Sequence, residues 1–526
     1  MTRAGPLLAS ILITCACGGA AMRGRALSGP DILRVVPADT PYVYAALEPL
    51  AREQLDRLFR EHRPRLARTL ASRAATASRS PGERLLYTLL GELEPYYSVE
   101  GLDRLGFGHT GASVVYGLGL IPALRLELVA PDKVAAFLDG VVAKAGVPVA
   151  RETLGDHRYV VFRDRGGAVA WSVDGNALVA TVAPASLLPD VLPLLFADRR
   201  PARSLAETNA VPALARAYGL SPLQVVSIDF SRILALLLDP REELDRKLLA
   251  AVGFDVAAFD SACRSELAAI AAEAPRLVLG MEEMSSSRSR YRITLELSPR
   301  LVKLLGALRA PAAGAGAPLG TALARIGVAA DVRRAVDLAK LWSFAVRTSP
   351  YRCVLLDGLN RLAGELAREV DAPLPAWLEP VRGASLVLYD ASFAHVRGYG
   401  IVTAADPLQV VATLTALVPS LRGVHLPPDG TPVALPGGVG PIDHVAVKGN
   451  VIGVSAGGAE ADLARAVAAP VAPHAPLLQL AVDFDRLRQA LGALADGWGD
   501  VAGRWDFGIY IDDRGLTLRV EELRSP

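Results

Sequence analysis

Val173-Asp-Gly-Asn-Ala-Leu-Val-Ala180 recurs later in the chain as Val447-Lys-Gly-Asn-Val-Ile-Gly-Val454. In each copy a Gly-Asn pair stands between two apolar runs with alternating positions. Because glycine and asparagine tolerate a positive φ, the pattern predicts a β-hairpin closed by a two-residue turn. Hairpins join neighbouring antiparallel strands, so the repeated segment indicates antiparallel sheets.

Other segments recur in the same order on either side of this hairpin. Self-similarity of this kind is typical of a duplicated architecture. Runs of two or three strands followed by a helix favour an α+β fold. We therefore expect two duplicated halves, each an antiparallel sheet with helices packed on one face. The matching segments are Gly111–Tyr116 with Gly383–Tyr389, Val226–Ile233 with Leu480–Leu487, and Tyr42–Glu48 with Ile326–Val332. The second match has an Asp-Phe pair where a strand runs into a helix, which predicts that the aspartate caps that helix.

Composition suggests where one half ends and the next begins. Residues 309–320 carry no charge after Arg309 and have the Gly and Pro content of a linker. We expect a first half at 31–308, a linker at 309–320 and a second half at 321–526. An Arg- and Ala-rich insertion at about 60–94 predicts one or two exposed helices in the first half.

The N-terminus resembles a secretory signal over residues 1–16. One cation, Arg3, precedes the apolar run Leu7–Ile13, which leads into small residues. The run is too short to cross a hydrocarbon core of about 30 Å as a permanent helix. We therefore expect the chain to be exported.

The segment Thr14-Cys-Ala-Cys17 resembles the lipidation box of bacterial lipoprotein precursors, although Thr14 stands where leucine is usual. The resemblance implies a lipid-modified Cys17, a membrane anchor, and a flexible tether at residues 17–30. Gly18 after the cysteine implies the outer membrane and leaves the periplasmic or surface side open. The alternative is ordinary signal cleavage after a small residue such as Ala20.

Two further cysteines, Cys263 and Cys353, remain in the exported body. An even pair in an oxidising compartment predicts one disulfide. The alternative is a pair of buried free thiols.

The charge balance argues against a nucleic-acid partner. The chain carries 56 basic and 55 acidic residues, for a formal net charge of +1, and no block of like charges stands out. Nucleic-acid binding depends on a basic surface, which this composition does not indicate.

One segment resembles a catalytic motif. Gly453-Val-Ser-Ala-Gly457 matches the nucleophile elbow of serine hydrolases. Ser455 would need a histidine oriented by a carboxylate, but His474 precedes Asp483, which is not the order of α/β hydrolases. The repeat alignment also sets Ser455 opposite Thr181, which has no flanking glycines. We interpret the motif as a strand end and predict no catalytic residues.

No pattern predicts a metal or a cofactor. The seven histidines lack the spacing of a zinc site. The turn Asp512–Gly515 supplies at most two carboxylates, fewer than calcium requires. Gly314–Gly320 lacks the lysine of a phosphate-binding loop.

The sequence thus favours a membrane-anchored, non-enzymatic lipoprotein of the cell envelope that interacts with envelope proteins or acts as a scaffold. The first alternative is a carrier that holds a lipid or another apolar ligand between sheet and helices, and the second is a hydrolase using Ser455. The opening Val36-Pro-Ala-Asp-Thr40 resembles exported bacterial proteins of unknown function, which implies no activity. No ligand is identified.

Overall fold

The computed structural model describes residues 29–74, 80–109, 111–285, 287–391, 395–417, 422–472, 475–492 and 502–524. The chain divides into two compact units. Unit 1 comprises Met1–Phe259 and Arg276–Ser286, and unit 2 comprises Asp260–Pro275 and Ser287–Pro526.

The described part of unit 1 forms an antiparallel sheet with helices, an α+β fold. The strand order is β4-β5-β6-β7-β3-β2-β1-β8-β9. The strands are β1 (Tyr42–Ala46), β2 (Ser113–Leu118), β3 (Ile121–Glu127), β4 (Ala150–Leu154), β5 (His157–Asp164), β6 (Gly167–Asp174), β7 (Ala177–Pro184), β8 (Val225–Asp229) and β9 (Arg276–Met284). The helices are α1 (Gly29–Ile32), α2 (Arg52–Ala74), α3 (Pro81–Leu93), α4 (Val99–Leu105), α5 (Pro131–Ala145), α6 (Leu188–Leu195), α7 (Leu205–Thr208), α8 (Ala210–Tyr218), α9 (Phe230–Leu238) and α10 (Glu243–Ala251).

The described part of unit 2 is also an antiparallel α+β body. Its strand order is β14-β15-β16-β13-β12-β11-β17-β18-β19-β10. The strands are β10 (Arg288–Glu296), β11 (Ala324–Val328), β12 (Val381–Ala391), β13 (Val396–Ala404), β14 (Val433–Val439), β15 (Ile442–Lys448), β16 (Val451–Ala456), β17 (Leu478–Asp483), β18 (Arg504–Ile511) and β19 (Gly515–Leu523). The helices are α11 (Ser261–Glu273), α12 (Pro299–Gly306), α13 (Val332–Thr348), α14 (Asp357–Val370), α15 (Pro407–Leu417), α16 (Glu460–Ala468) and α17 (Phe484–Leu491).

Eight strands follow the same order in the two units: β5-β6-β7-β3-β2-β1-β8-β9 corresponds to β14-β15-β16-β13-β12-β11-β17-β18. The two Gly-Asn hairpins occupy equivalent places, at the β6–β7 and β15–β16 turns. Gly175 and Gly449 have φ values of +55° and +57°, as the two-residue turns require. Leu128 N–H donates to the Asn176 carbonyl at 2.7 Å, and Ala404 N–H donates to the Asn450 carbonyl at 2.9 Å. The two hairpins are therefore closed against the sheet by the same bond.

A second set of contacts repeats at the strand-to-helix junctions. Asp229 N–H donates to the carbonyl of Pro41, the residue before β1, at 2.8 Å, and Asp483 N–H donates to that of Leu323, the residue before β11, at 2.9 Å. The aspartate carboxylates accept hydrogen bonds from the helix N–H groups three residues on, at 2.9 Å for Asp229 and 3.0 Å for Asp483. Both side chains thus cap their helices, α9 and α17, as the repeated Asp-Phe pair predicts.

Each unit has an apolar core between its sheet and a helix. In unit 1, Val114, Tyr116 and Val179 of the sheet are buried in one cluster with Val191 and Leu192 of α6. In unit 2 the corresponding cluster joins Val387 and Ile401 to Leu463 of α16. The Arg- and Ala-rich insertion forms helices α2 and α3, and α3 buries Leu86 and Leu90.

The division between the units differs from the predicted boundary at 309–320. The strand β10 belongs to unit 2, because it pairs with β19 from Arg288 opposite Leu523 to Glu296 opposite Gly515. Nine consecutive residue pairs attach β10 to β19, although β10 precedes the predicted linker in the sequence. Residues 260–275, which include α11, also belong to unit 2.

Residues 309–320, interpreted above as a linker, form a partly buried strap inside unit 2. Ala312, Ala313 and Ala315 are almost completely buried. A Cβ atom added at Gly327 of β11 would lie 3.3 Å from Ala315 Cα, so the strap runs directly against the sheet. A segment of small residues has little charge and no hydrophobic periodicity, which is typical of a flexible linker. The same small residues also let a backbone approach a sheet closely. Composition alone does not separate these two cases.

Candidate functional site

The most unusual surface of unit 2 is a group of exposed aliphatic side chains on adjacent strands. We call it the apolar face, and its members are Ile326 and Val328 of β11, Leu386 of β12, and Leu478 and Leu480 of β17, which are 38–43% exposed. Ile326 lies opposite both Leu386 and Leu480, and Val328 lies opposite Leu478. Residues opposite each other on one sheet face have Cβ atoms about 4.5–5.5 Å apart, so the five side chains are contiguous.

The apolar face continues onto β18. Phe507 lies opposite Leu480, and Ile509 lies opposite Leu478. Both are half-buried. The Phe507 ring stacks against Trp505 with centroids 5.9 Å apart and an interplanar angle of 11°. The exposed aliphatic group is therefore bordered on one side by aromatic surface.

On β11 and β17 the opposite side is buried and carries polar side chains, whereas on β12 it holds the core residue Val387. Arg325 of β11 and Gln479 of β17 alternate with the exposed residues and are 7% and 3% exposed. An Arg325 guanidinium nitrogen donates to the Gly314 carbonyl at 3.0 Å. The Gln479 amide accepts from Gly316 N–H at 2.8 Å and donates to the Ala317 carbonyl at 3.1 Å. The polar side chains thus satisfy the backbone of the strap.

This arrangement inverts the usual polarity of a half-buried antiparallel sheet, whose polar side normally faces water. Gln479 also donates to Asp506 Oδ2 at 2.9 Å. Burial raises the pKa of the Asp506 carboxyl above its ordinary value. Because the strap requires polar partners, the polar residues of β11 and β17 turn inward and their apolar neighbours turn to the surface.

Ser455 is the second-to-last residue of β16, in agreement with the predicted strand end, and it pairs with Tyr399 and His444. Ser455 is 1% exposed, and its hydroxyl donates to Asp443 Oδ1 at 3.0 Å. His444 Nδ1 contacts the same oxygen at 3.0 Å. Asp443 therefore lies between the serine and the histidine, whereas a serine hydrolase needs the histidine on the serine hydroxyl.

The lowered pKa of Asp443 fits an ionised carboxylate with a structural role. Burial by itself raises the pKa of this carboxyl, but hydrogen bonds from Gly458 N–H, His444 and Ser455 hold the pKa below its ordinary value. A carboxylate with a lowered pKa is a poor base for a serine hydroxyl. His474, the other histidine considered for this motif, lies outside the described residues.

The structure joins Cys263 of α11 to Cys353 in a disulfide, with Cα atoms 4.3 Å apart. The Glu266 carboxylate accepts hydrogen bonds from Arg352 N–H at 3.0 Å and from Cys353 N–H at 2.9 Å. The predicted pairing is confirmed. Cys17 and the remainder of the lipidation box lie outside the described residues.

A histidine in unit 1 is held by two carboxylates. His157 Nδ1 lies 3.1 Å from Asp174 Oδ1, and His157 Nε2 lies 3.0 Å from Asp198 Oδ1. Burial by itself lowers the pKa of His157, but the hydrogen bonds to the two aspartates raise it overall. The ring also stacks on Phe196 at 4.6 Å between centroids. The histidine therefore links β5, the β6 end and the residues after α6.

The described ranges offer neither a metal-binding cluster nor a helix that could span a membrane. No group of three or more His, Cys, Asp or Glu side chains is placed there to hold a metal ion. Among the same residues, no helix combines the length and the apolar character needed to cross a bilayer. Comparison with protein-family models, with curated proteins and with solved structures finds no match for this chain.

The apolar face escaped the sequence analysis even though its pattern is visible there. Leu478-Gln479-Leu480 alternates as a strand should. Alternation shows that the two sides of a strand differ, but not which side is buried. The inversion depends on the strap, whose contacts join residues 11 positions apart on β11 and 163 positions apart on β17, and whose composition resembles that of a linker.

Proposed function

We propose that this protein is an exported, lipid-anchored and non-enzymatic binding protein of a bacterial cell envelope, and that its apolar face holds the acyl chain of a lipid. The observation that carries the proposal is the inverted polarity of β11 and β17. Proteins rarely expose contiguous aliphatic surface unless it serves as a binding site.

The composition of the apolar face favours hydrocarbon over a protein partner. On β11, β12 and β17, the residues on this side from Ala324 to Val328, Ala384 to Leu388 and Leu478 to Val482 are all aliphatic. Protein interfaces are enriched in aromatic residues and arginine, whereas the aromatic residues here, Trp505 and Phe507, lie at the border of the apolar face. A surface of aliphatic side chains offers an acyl chain dispersion contacts without competing hydrogen bonds.

The expected affinity matches a protein held at a membrane. Fully burying one aliphatic side chain contributes about 1.5–3 kcal/mol, so covering the remaining two-fifths of five side chains contributes roughly 3–6 kcal/mol. Such binding is weak for a ligand free in solution. A membrane anchor raises the effective concentration of lipid, so that a weak site is occupied.

A photoactivatable fatty acid tests the proposal. We expect the purified full chain to be labelled on β11, β12 or β17, and Ile326→Asp with Leu480→Asp to lose most of the label. Val129→Asp is the matched control, because Val129 of unit 1 is 65% exposed and lies outside the apolar face. Equal labelling of the double variant and the control would refute the acyl-chain site. Capture of a defined envelope protein by the same face would favour the scaffold role instead.

We also propose that the two units arose by duplication. The shared order of eight strands and the repeated Asn and Asp hydrogen bonds support this origin. Since matching contacts involve both backbone and side chains, they are difficult to obtain by convergence. A superposition of β1–β3 and β5–β9 on the corresponding strands of unit 2 that misplaced Asp229 relative to Asp483 would contradict it.

The proposed export and anchor rest on residues 1–18. Metabolic labelling with an alkynyl fatty acid should mark the wild-type protein, and Cys17→Ser should remove the mark. An unmarked wild type would refute lipidation. A cytoplasmic, uncleaved protein in intact cells would refute export.

The non-enzymatic part of the proposal is supported by the geometry of Ser455, whose hydroxyl faces a carboxylate and is buried. A fluorophosphonate probe should leave the wild type unlabelled. Labelling that disappears in Ser455→Ala would favour a hydrolase.

A further inference from the structure

Unit 2 carries a second exposed apolar surface, at the loop end of the helical hairpin formed by α13 and α14. The connecting segment contains a 3-10 turn, Val354–Leu356. We call this surface the hairpin tip. Its large apolar members are 50–72% exposed, and they are Leu341, Phe344, Val354, Leu355 and Leu362.

The five side chains lie close to the loop end. Leu341 is seven residues before Thr348, where α13 ends, and Leu362 is five residues after Asp357, where α14 begins. At 1.5 Å per residue, both lie within about 11 Å of the loop. Amphipathic elements bury their apolar side chains about 5–10 Å into the boundary between headgroups and acyl chains. The length of the hairpin tip therefore matches shallow insertion.

The disulfide keeps this apolar surface exposed. Cys353 is buried and directly precedes Val354, and its bond to Cys263 attaches the turn to α11. The Glu266 carboxylate holds the same turn through two backbone N–H groups. A free turn could fold its aliphatic side chains inward, whereas this turn is fixed with Val354 and Leu355 facing outward.

Charge around the hairpin tip complements an anionic surface. Between residues 340 and 362 the exposed cations are Lys340, Arg347, Arg352 and Arg361, against one acidic residue, Asp357. Glu266 of α11 adds one carboxylate at the turn, so four cations face two carboxylates. The whole chain has a formal net charge of only +1, so this excess is local. Basic residues beside an apolar surface attract anionic lipid headgroups. Trp342 and Tyr351, which suit the membrane interface, lie in the same segment.

We propose that the hairpin tip docks on an anionic membrane surface, with Phe344, Val354 and Leu355 inserted among the lipids and the four cations at the headgroups. The docking goes beyond the acyl-chain site, because it fixes how unit 2 meets the bilayer. A basic apolar patch adds a second attachment to the one that the proposed lipid anchor supplies.

Vesicle flotation of the full chain carrying Cys17→Ser tests the docking, since this variant has no lipid anchor. We expect binding to vesicles with phosphatidylglycerol, and at least tenfold weaker binding to phosphatidylcholine vesicles. Phe344→Glu with Leu355→Glu should reduce binding at least tenfold. Arg347→Glu with Arg361→Glu should reduce it about 25-fold or more, because each cation near an anionic surface contributes a factor of about five.

Leu408→Glu is the matched control. Leu408 of α15 is 73% exposed and lies outside the hairpin tip, so its substitution should leave vesicle binding unchanged. Thermal unfolding of all variants should match the parent, since every changed residue is exposed. The sheet variant Ile326→Asp with Leu480→Asp should still bind vesicles, which separates this proposal from the acyl-chain site. Failure of the parent to bind anionic vesicles, or equal binding by Phe344→Glu with Leu355→Glu, would overturn the docking. A dimer lost in that double variant without vesicle binding would assign the surface to a second copy of the chain.

Discussion

The same sheet position is covered in unit 1 and open in unit 2. Tyr44 of β1 lies opposite Val115 and Val226 and is 5% exposed. Ile326 of β11 lies between the equivalent neighbouring strands and is 43% exposed. The equivalence follows from the junction bonds to Pro41 and Leu323, each directly before its strand, and it shifts the predicted match of Tyr42 with Ile326 by two residues. Strand order therefore does not decide which side of a strand is buried, and the open face is the one that we propose binds an acyl chain.

The largest expected difference between the units comes from the disulfide, which only unit 2 has among the described residues. Its cysteines are 90 residues apart. Cys353→Ala should destabilise unit 2 by about 4–5 kcal/mol on the chain-entropy model of a loop of this length. Hydrogen exchange resolved by peptide should show faster exchange in unit 2 and little change in unit 1. The wild-type protein with its disulfide reduced should show the same faster exchange in unit 2 as Cys353→Ala. Cys17→Ser, which leaves the disulfide intact, should not show it. Equal loss in both units would contradict the comparison.

Truncation at the equivalent strand positions tests the covered and open faces directly. Tyr44→Ala should cost about 3–5 kcal/mol, as for other large buried aromatic residues, because the removed ring leaves a cavity. Ile326→Ala should cost about 1 kcal/mol or less, since its side chain already contacts water. Urea unfolding measures both. Similar costs for the two variants would show that the two faces are equally buried.

The helix in unit 2 lies closer to its sheet than a valine would allow. In the alignment of the two hairpins, Gly453 of unit 2 is the position equivalent to Val179 of unit 1. A Cβ atom at Gly453 would overlap the Leu463 side chain. Gly453→Val should therefore destabilise unit 2 by about 1–3 kcal/mol through overpacking. Gly400→Ala is the control, because its nearest neighbour would be 3.8 Å away. An unchanged urea midpoint for Gly453→Val would contradict the close approach.

The two aspartate caps should differ modestly in strength. Asp229→Ala should cost about 1 kcal/mol, the usual loss for an N-cap. Asp483→Ala should cost about 2 kcal/mol, because the carboxylate also accepts from Arg504 Nε at 2.9 Å and lies buried. Thermal unfolding of the two variants compares the caps. A larger loss in Asp229→Ala would reverse the expected order.

The smallest effect is a pH dependence specific to unit 1. Because the folded pKa of His157 is raised, its contribution to stability is fully present below the unfolded value of about 6.5 and is lost as pH rises through the folded pKa. The urea midpoint of unit 1 should therefore decrease as the pH is raised from neutral to mildly alkaline. His157→Gln should remove this slope.

Unit 2 supplies the opposite slope as a control. The lowered pKa of Asp443 gives stability that is present above its unfolded value of about 3.9 and lost as pH falls through the folded pKa. Asp443→Asn should flatten the acid limb and leave the alkaline limb unchanged. A wild-type unit 1 that gained stability with rising pH would refute the histidine assignment.

Local patterns carried much of the fold. The Gly-Asn turns predicted both hairpins because positive φ is a property of a few residues and needs no distant contact. The Asp-Phe pairs predicted two caps for the same reason, since a cap binds N–H groups three residues away. The α+β class and the Cys263–Cys353 pair also follow from local periodicity and from cysteine number.

The unit boundary and the candidate site needed distant contacts. The pairing of β10 with β19 places β10 in unit 2, on the far side of the predicted boundary. Residues 309–320 have the composition of a linker, but their alanines are buried against the sheet. The apolar face was missed because Ile326 and Leu480 alternate with polar residues in a way that is equally compatible with either side facing the core.

By itself, the sequence determined the turns, the caps, the antiparallel α+β character and the available thiol pair, because each depends on backbone conformations or residue types within a few positions. Only the tertiary structure decided which side of β11 and β17 meets water, since the strap claims Arg325 and Gln479 for its own carbonyl and amide groups. Backbone groups that pack against a sheet need hydrogen-bond partners. Arg325 and Gln479 supply them to the strap, so the aliphatic residues that alternate with these two lie at the surface.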